Sequence, residues 1–254
     1  MSKVIVITGA SRGIGAATAR LLAARGHSLA LAARGRERLD QVVGDCGEMA
    51  IGVVTDVTDR AQVKALVAKS IDRFGPVDVW INNAGQGITR EPSQLTDDDV
   101  DTMVQVNIKS VLYGMQEILP HFKERNAGHI INISSMLGRM PHATFRSAYT
   151  GSKHFVNAIT AMIRSEIQQA HPGIQVSLVS PGVVRTDFGK NALHGGPDSN
   201  TLPYSQSAEE VAEVIAGVIA SRAPDVYTRP GAAKRVAEYY ATIGTDPPAV
   251  SREP

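Results

Sequence analysis

The chain has 254 residues, room for one large or two small domains, and a single α/β unit of this length is the simplest expectation. Its 26 Lys and Arg against 25 Asp and Glu leave no field of either sign to hold nucleic acid or an anionic membrane, so a small, weakly charged partner is expected. The one cysteine, Cys46, can form no internal disulfide, no basic leader precedes Lys3, and no apolar run approaches the roughly 20 residues of a bilayer span; a cytoplasmic protein without a transmembrane anchor is expected.

In chain order, a β-branched run at 4–8 predicts a strand, and helical period at 14–25 a helix. The alternation continues with strand 29–33, helix 37–43, strand 51–55, helix 60–74, strand 79–82 and helix 98–124. It ends with strand 129–134, helix 148–169, strand 175–180, helix 208–221, strand 225–228 and a helical stretch at 232–243. Strands separated by helices predict βαβ crossovers and a parallel sheet. Several strands are apolar throughout, as a sheet covered on both faces requires, so the expected class is α/β with three α/β/α layers. No repeat or low-complexity linker interrupts 1–254, which is read as one dinucleotide-binding and catalytic domain. The stretch 182–206, rich in Gly, Asn, Ser and Pro, is too long for a tight connection and is expected to cover a site.

The first strand runs into Thr8-Gly9-Ala10-Ser11-Arg12-Gly13-Ile14-Gly15, and a helix follows at once. Glycines there let the backbone turn sharply and let a pyrophosphate approach the unpaired N–H groups of the helix start. The spacing G-x-x-x-G-x-G differs from the general G-x-G-x-x-G, and a plain strand-to-helix turn also uses glycine. The second strand ends in Ala33-Arg34, with no carboxylate at its tip where an NAD-selecting site places one. Arg34 with Arg12 can pair with a 2′-phosphate, so NADP(H) is favoured over NAD(H). Arg36 and Arg38 fit a solvated helix start equally well. Asp56, in Thr55-Asp56-Val57, can reach an adenine amino group or cap the helix that begins at Arg60.

Tyr149 and Lys153 are four apart in a helical segment, so both side chains leave one face. Lowering a phenol from near 10 to neutrality takes about three units, or roughly 4 kcal/mol. A neighbouring ammonium and an oxidised nicotinamide ring both act in that direction. Tyr149 would then be general acid in carbonyl reduction and general base in reverse. Ser135 ends the fifth strand and could donate to the developing oxyanion, while strand alternation points its neighbour Ser134 the other way. Pro181, Gly182 and Thr186 follow the sixth strand, in reach of a nicotinamide carboxamide. Asn107, a mediocre helix former, lies inside predicted helix 98–124.

The ordered set of the glycine turn, Asn82-Asn83-Ala84-Gly85, Asn107, Ile133-Ser134-Ser135, Tyr149-Thr-Gly-Ser-Lys153 and Pro181-Gly-Val-Val-Arg-Thr186 resembles that of the short-chain dehydrogenases/reductases, up to about Thr186. The resemblance implies a Rossmann-type fold with a seven-stranded parallel sheet, a nicotinamide cofactor and a catalytic set of Asn107, Ser135, Tyr149 and Lys153. It also implies cofactor contacts from Ser11, Ile14, Val57, Asn83, Ala84, Gly85, Tyr149 and Lys153, the last on the nicotinamide ribose. Asn107 would hold a water in a proton relay from Lys153 to solvent, and the protein would be a homodimer or homotetramer built on its two long central helices. Ser135 and Tyr149 stand 14 apart, one more than is common in the family, so 136–147 is expected to bulge.

The seven histidines show no metal-ligand spacing and no G-x-S-x-G elbow appears, so a zinc dehydrogenase and a hydrolase have no anchor. The expected function is NADP(H)-dependent reduction of a carbonyl or oxidation of a secondary alcohol in a small molecule. The alternatives are a non-catalytic NADP(H)-sensing regulator of the same fold and an epimerase or dehydratase of the longer sister group, whose second substrate lobe has no counterpart here. Substrate choice is assigned to 90–95, 136–147 and 183–206. The C-terminal extension, 229–254, departs from the family; its stripe of Val236, Tyr239, Tyr240 and Ile243 is expected to pack on its own domain.

Overall fold

A computed structural model describes residues 2–244; the rest of the expected C-terminal extension, 245–254, lies outside the described residues. Seven strands form one sheet: β1 (Val4–Thr8), β2 (Ser28–Ala33), β3 (Ala50–Val54), β4 (Val79–Asn82), β5 (Gly128–Ile133), β6 (Ile174–Ser180) and β7 (Asp225–Tyr227). They are all parallel, in the order β3-β2-β1-β4-β5-β6-β7. The predicted strands are all present, with ends shifted by at most one residue, because short β-branched runs buried on both faces have a clear pattern.

Strand alternation divides the core between two layers. Ile5 and Ile7 of β1 pack with α1 (Gly13–Ala24), α2 (Arg36–Cys46) and α7 (Ala208–Ser221) on one side. Val6 faces the other way, toward α3 (Arg60–Phe74), α5 (Ser110–Arg125) and α6 (Ser147–Ala170). Through this second layer runs a buried polar chain. The Trp80 indole donates to Asn82 Oδ1 (2.7 Å), Asn82 donates to Asn132 Oδ1 (2.8 Å), and Asn132 donates to Thr160 Oγ1 (2.9 Å). These bonds satisfy groups that would be costly to bury alone, and they tie β4 and β5 to α6.

Predicted helix 98–124 is not one continuous α-helix. A helix α4 (Asp97–Met103), started by a Thr96–Asp99 capping box, passes through a π-helical turn (Val104–Lys109) before α5 begins. The turn inserts one residue per hydrogen-bonded ring and carries Asn107 inward. Helix α3 is capped by Asp59, whose carboxylate accepts from Ala61 N (2.9 Å) and Gln62 N (3.4 Å). Asp56 therefore does not cap it; Asp56 accepts instead from the Thr58 amide (2.9 Å) and hydroxyl (2.7 Å).

The C-terminal helix α8 (Ala232–Ala241) buries Val236 against Met136, as expected of packing on its own domain. Tyr240 and Ile243, expected on the same face, are exposed. Among the described residues no helix is long and apolar enough to cross a membrane, and no group of three metal-ligating side chains occurs.

Candidate active site

The strand order reverses between β1 and β4, and above their carboxyl ends opens a cleft of about 1240 Å³. Of the residues singled out in the sequence, Gly9, Ser11, Arg12, Gly13, Ile14, Arg34, Asp56, Val57, Asn83, Ala84 and Gly85 line its long arm. Ser135, Tyr149, Lys153, Pro181, Gly182 and Thr186 line its other end. Gly15 and Asn107 stand behind the wall.

Gly15 has a packing reason for being glycine. A Cβ there would lie 2.4 Å from the Gly9 carbonyl oxygen and 2.6 Å from Asn83 Nδ2, so any side chain would push helix α1 off the turn. Asn83 braces that turn, donating through Nδ2 to the carbonyls of Thr8 (2.9 Å) and Gly9 (3.2 Å). Thr8 Oγ1 in turn accepts from the amides of Asn83 (3.0 Å) and Ala84 (3.2 Å). Asn82, the first residue of that motif, is buried scaffold. Gly9 adopts φ +66° and Gly13 φ +54°, conformations that disfavour a side chain. The α1 N-cap, Arg12, makes no side-chain hydrogen bond to the helix start, leaving amides available at the cleft. Arg12 and Arg34 make no ion pair among the described residues.

At the other end, β5 and α6 bring the chemical groups together. Lys153 Nζ donates to the Ile133 carbonyl at 2.9 Å and lies 5.7 Å from the centre of the Tyr149 ring. The Ser135 hydroxyl lies close enough to the Tyr149 phenol to favour its ionised form, and it accepts from the Leu137 amide (3.1 Å). The adjacent Ser134 hydroxyl donates to Asn157 Oδ1 on α6. The 14-residue separation is taken up by a 3₁₀ turn (Met136–Gly138) and the irregular segment after it, and Ser135 still meets Tyr149.

The expectation that cations bring Tyr149 toward neutrality is reversed in the protein alone. Burial pushes the phenol up to about 12, against the opposing pull of Ser135 and Arg146. Burial likewise brings Lys153 down to about 8. The low-dielectric setting disfavours phenolate and ammonium alike, so desolvation outweighs the neighbouring charge.

Asn107 is fully buried rather than exposed. Its Oδ1 accepts from the Gln86 amide and its Nδ2 donates to the Gln86 carbonyl, both at 2.9 Å. The side chain is thus committed to the backbone of Gln86. It remains near the lysine: a Cβ on Gly85 would lie 3.1 Å from Asn107 Oδ1 and 3.7 Å from Lys153 Nζ.

Loop 182–206 covers this end, as expected. Leu193 N donates to Gly87 O (2.8 Å) and Thr89 N to Leu193 O (2.9 Å), while Gln206 N donates to Val183 O (2.9 Å). His194, on the loop, meets the buried Asp99 carboxylate at 2.6 Å. Three wall residues were not singled out as site residues in the sequence, although Arg146 and Phe188 fall in the stretches assigned to substrate choice. Phe188 packs 5.5 Å from the Tyr149 ring, Arg146 sits beside it, and Tyr239 reaches in from α8. Only Arg146 had a further signal, its helical spacing of three before Tyr149.

A family model described as short chain dehydrogenase matches residues 3–195. An uncharacterized oxidoreductase from Staphylococcus saprophyticus is 40% identical over 192 residues, covering 73% of this chain and 76% of the relative. A short-chain dehydrogenase/reductase from Burkholderia phymatum, solved in complex with NAD, superposes with TM-score 0.87 at 27% identity, covering 98% of both chains. An alcohol dehydrogenase from the archaeon Thermococcus sibiricus, complexed with 5-hydroxy-NADP, gives TM-score 0.77 at 28% identity, covering 89% of this chain and 96% of that one. With more than half its length matched by that model and a parallel sheet matched by those structures, the chain belongs to the short-chain dehydrogenase family of oxidoreductases.

Proposed function

We propose that the protein is an NADP(H)-dependent oxidoreductase that interconverts a carbonyl and a secondary alcohol. The observation carrying this reading is the meeting of Ser135, Tyr149 and Lys153 at one end of a cleft whose other end is a glycine turn with free helix-start amides. The cleft fits a dinucleotide. The turn is closed down to bare backbone, since a Cβ on Gly9 would fall 2.8 Å from Ala84 Cα, and the α1 amides, uncapped by Arg12, would receive the pyrophosphate. The relatives bind NAD in one case and 5-hydroxy-NADP in the other. Preference for the phosphorylated form rests on Arg34 and Arg12 and on the lack of a carboxylate at the tip of β2.

When bound, the dinucleotide supplies or accepts the hydride. Tyr149, a neutral phenol across the physiological range, donates its proton to the substrate oxygen in reduction and takes it back in oxidation. Ser135 donates to the same oxygen as charge develops there; engagement of Ser134 with Asn157 supports the choice between the two serines. Lys153, held by the Ile133 carbonyl at the cleft, would use its remaining donors to hold the cofactor ribose. Asn107 acts as a positioning residue through Gln86. A homodimer or homotetramer packed on α5 and α6 belongs to this reading, supported by Phe155 and Met162, 40% and 62% exposed on α6.

The test is an NADPH-coupled screen of aldehydes and ketones followed by loss of absorbance at the nicotinamide band, with Tyr149→Phe as comparison. Activity should fall by about 100-fold or more in kcat while cofactor affinity stays within a few-fold. Equal rates in the two proteins would remove Tyr149 from the chemistry and with it the reading.

A further inference from the structure

Arg146 is a buried cation without an anion. It is 8% exposed, and among the described residues no carboxylate lies within 4.0 Å of it. Its one hydrogen bond runs from Nη1 to the Ile88 carbonyl at 3.1 Å, and its guanidinium carbon lies 5.3 Å from the centre of the Phe145 ring. Nε and Nη2 make no bond. Burying a guanidinium with most of its donors unused is unfavourable, and the burial itself pulls the group's pKa down. Among the described residues no acidic side chain offsets this, which points to a counter-charge that arrives through the cleft.

The position says where that charge would be. Arg146 lines the cleft as the N-cap of α6, three residues before Tyr149, close enough for its charge to act on the phenol. A Cβ on Gly87 would meet Arg146 Nη1 at 2.9 Å and Phe188 at 3.0 Å, and Phe188 packs on Tyr149. Arg146, Phe188 and Tyr149 thus bound one corner of the cleft. A second buried group nearby also lacks a partner. Thr89 Oγ1 makes no hydrogen bond, and a Cβ on Gly196 would lie 2.7 Å from it and 3.2 Å from Arg146 Nη2. Thr89 lies outside the cleft lining, with the Gly196 backbone between it and Arg146, so Arg146 is the group exposed to a ligand there.

We propose that Arg146 is the carboxylate anchor of the substrate and that the cleft takes an oxo acid, or in reverse the matching hydroxy acid. This rests on the oxidoreductase reading, whose substrate class it names. The free edge of one guanidinium matches the two oxygens of a carboxylate. With Arg146 and Tyr149 on the same corner of the cleft, the carboxylate stands only a few carbons from the reacting carbon. In reduction a hydride from NADPH forms the new C–H bond and the carbonyl π bond breaks. Tyr149 gives its proton to the oxygen and regains one from solvent, so oxo acid, NADPH and a proton become hydroxy acid and NADP⁺.

The experiment compares oxo acids of four to six carbons with their methyl esters, which keep the skeleton and lose the charge. With NADPH, the wild-type protein should favour acid over ester at least tenfold in kcat/KM. In Arg146→Met that ratio should fall by roughly 100-fold, through KM, as expected when one partner of a buried charge pair is removed. Arg146→Lys, which keeps the charge but not the fork, should retain part of the preference and serves if Arg146→Met fails to fold. No acid preference in the wild type, or an equal fall for acid and ester in the variants, overturns the anchor. Calorimetry of the NADP⁺-loaded protein with the same oxo acids separates the two readings. Acid binding that depends on Arg146, with no turnover of any probe, keeps the anchor and defeats the oxidoreductase reading. Turnover of esters and acids alike does the reverse, and neither binding nor turnover overturns the anchor.

Discussion

Asn107 and Gln86 exchange two hydrogen bonds of 2.9 Å, one in each direction between a buried side-chain amide and a backbone peptide. The pair fastens the π-helical turn after α4 to the segment leaving β4, where Gly85 separates Asn107 from Lys153. Asn107→Ala leaves the amide and carbonyl of Gln86 without partners at a part-buried position, a loss of about 2 kcal/mol. The melting temperature should drop by about 5 °C. A further fall in kcat at temperatures where the variant is fully folded is expected, because the wall behind Lys153 moves. Steady-state rates and melting curves on one preparation check both, and a variant that melts early but turns over normally would limit Asn107 to the scaffold.

The glycine turn predicts a contrast between two substitutions of the same kind. Gly15→Ala places a methyl 2.4 Å from the Gly9 carbonyl and should cost about 1–3 kcal/mol and weaken cofactor binding at least tenfold. Gly44→Ala, in α2 with nothing within 4 Å of the new methyl, should be neutral or stabilise by about 0.5–1 kcal/mol. Melting curves and cofactor titrations of both variants make the comparison.

In the proposed reading Arg34 would carry the cofactor preference. Replacing charge-assisted hydrogen bonds with repulsion in Arg34→Asp should lower the NADPH-to-NADH ratio of kcat/KM by about 100-fold. A ratio that stays where it was would move the phosphate contact elsewhere in the arm.

His129 makes stability depend on pH. It lies within β5, buried, with Nε2 2.8 Å from Ser177 Oγ, and burial lowers its pKa to about 3, aided by Arg222 and Lys3. Between about 6.5, its unfolded value, and 3 the unfolded chain binds the proton that the folded chain refuses. Stability is therefore full above the upper value and falls as pH drops, at up to about 1.4 kcal/mol per unit. His129→Gln keeps a partner for Ser177 and removes the titration. Its melting temperature should approach that of the wild type between pH 8 and pH 4.5, and parallel curves would discount the histidine.

Much of this was legible in the residues, and the reason differs from one feature to the next. The strands were readable because burial on both faces leaves uninterrupted β-branched runs. Gly9, Gly13 and Gly15 declared a phosphate-type turn because few other residues reach those backbone conformations or contacts. Tyr149 and Lys153 were readable because helix geometry alone puts them on one face. The π turn was not, since α and π turns draw on the same residues and the extra residue is stabilised by Gln86, 21 positions away. Likewise the cap of α3 went to Asp59 rather than Asp56 through a choice between two nearby carboxylates that only the backbone path resolves.

By itself, then, the amino-acid order determined the elements, their parallel arrangement and the family, because hydrogen-bonding period and local conformational limits act over a few residues. Tertiary structure decided that Tyr149 is made less acidic by its surroundings, that Asn107 is spent on a peptide, and that Arg146 lies buried beside the phenol without an anion. Those outcomes depend on how much water each group loses and on which distant segment closes over it. Desolvation and long-range contact have no signature in local spacing.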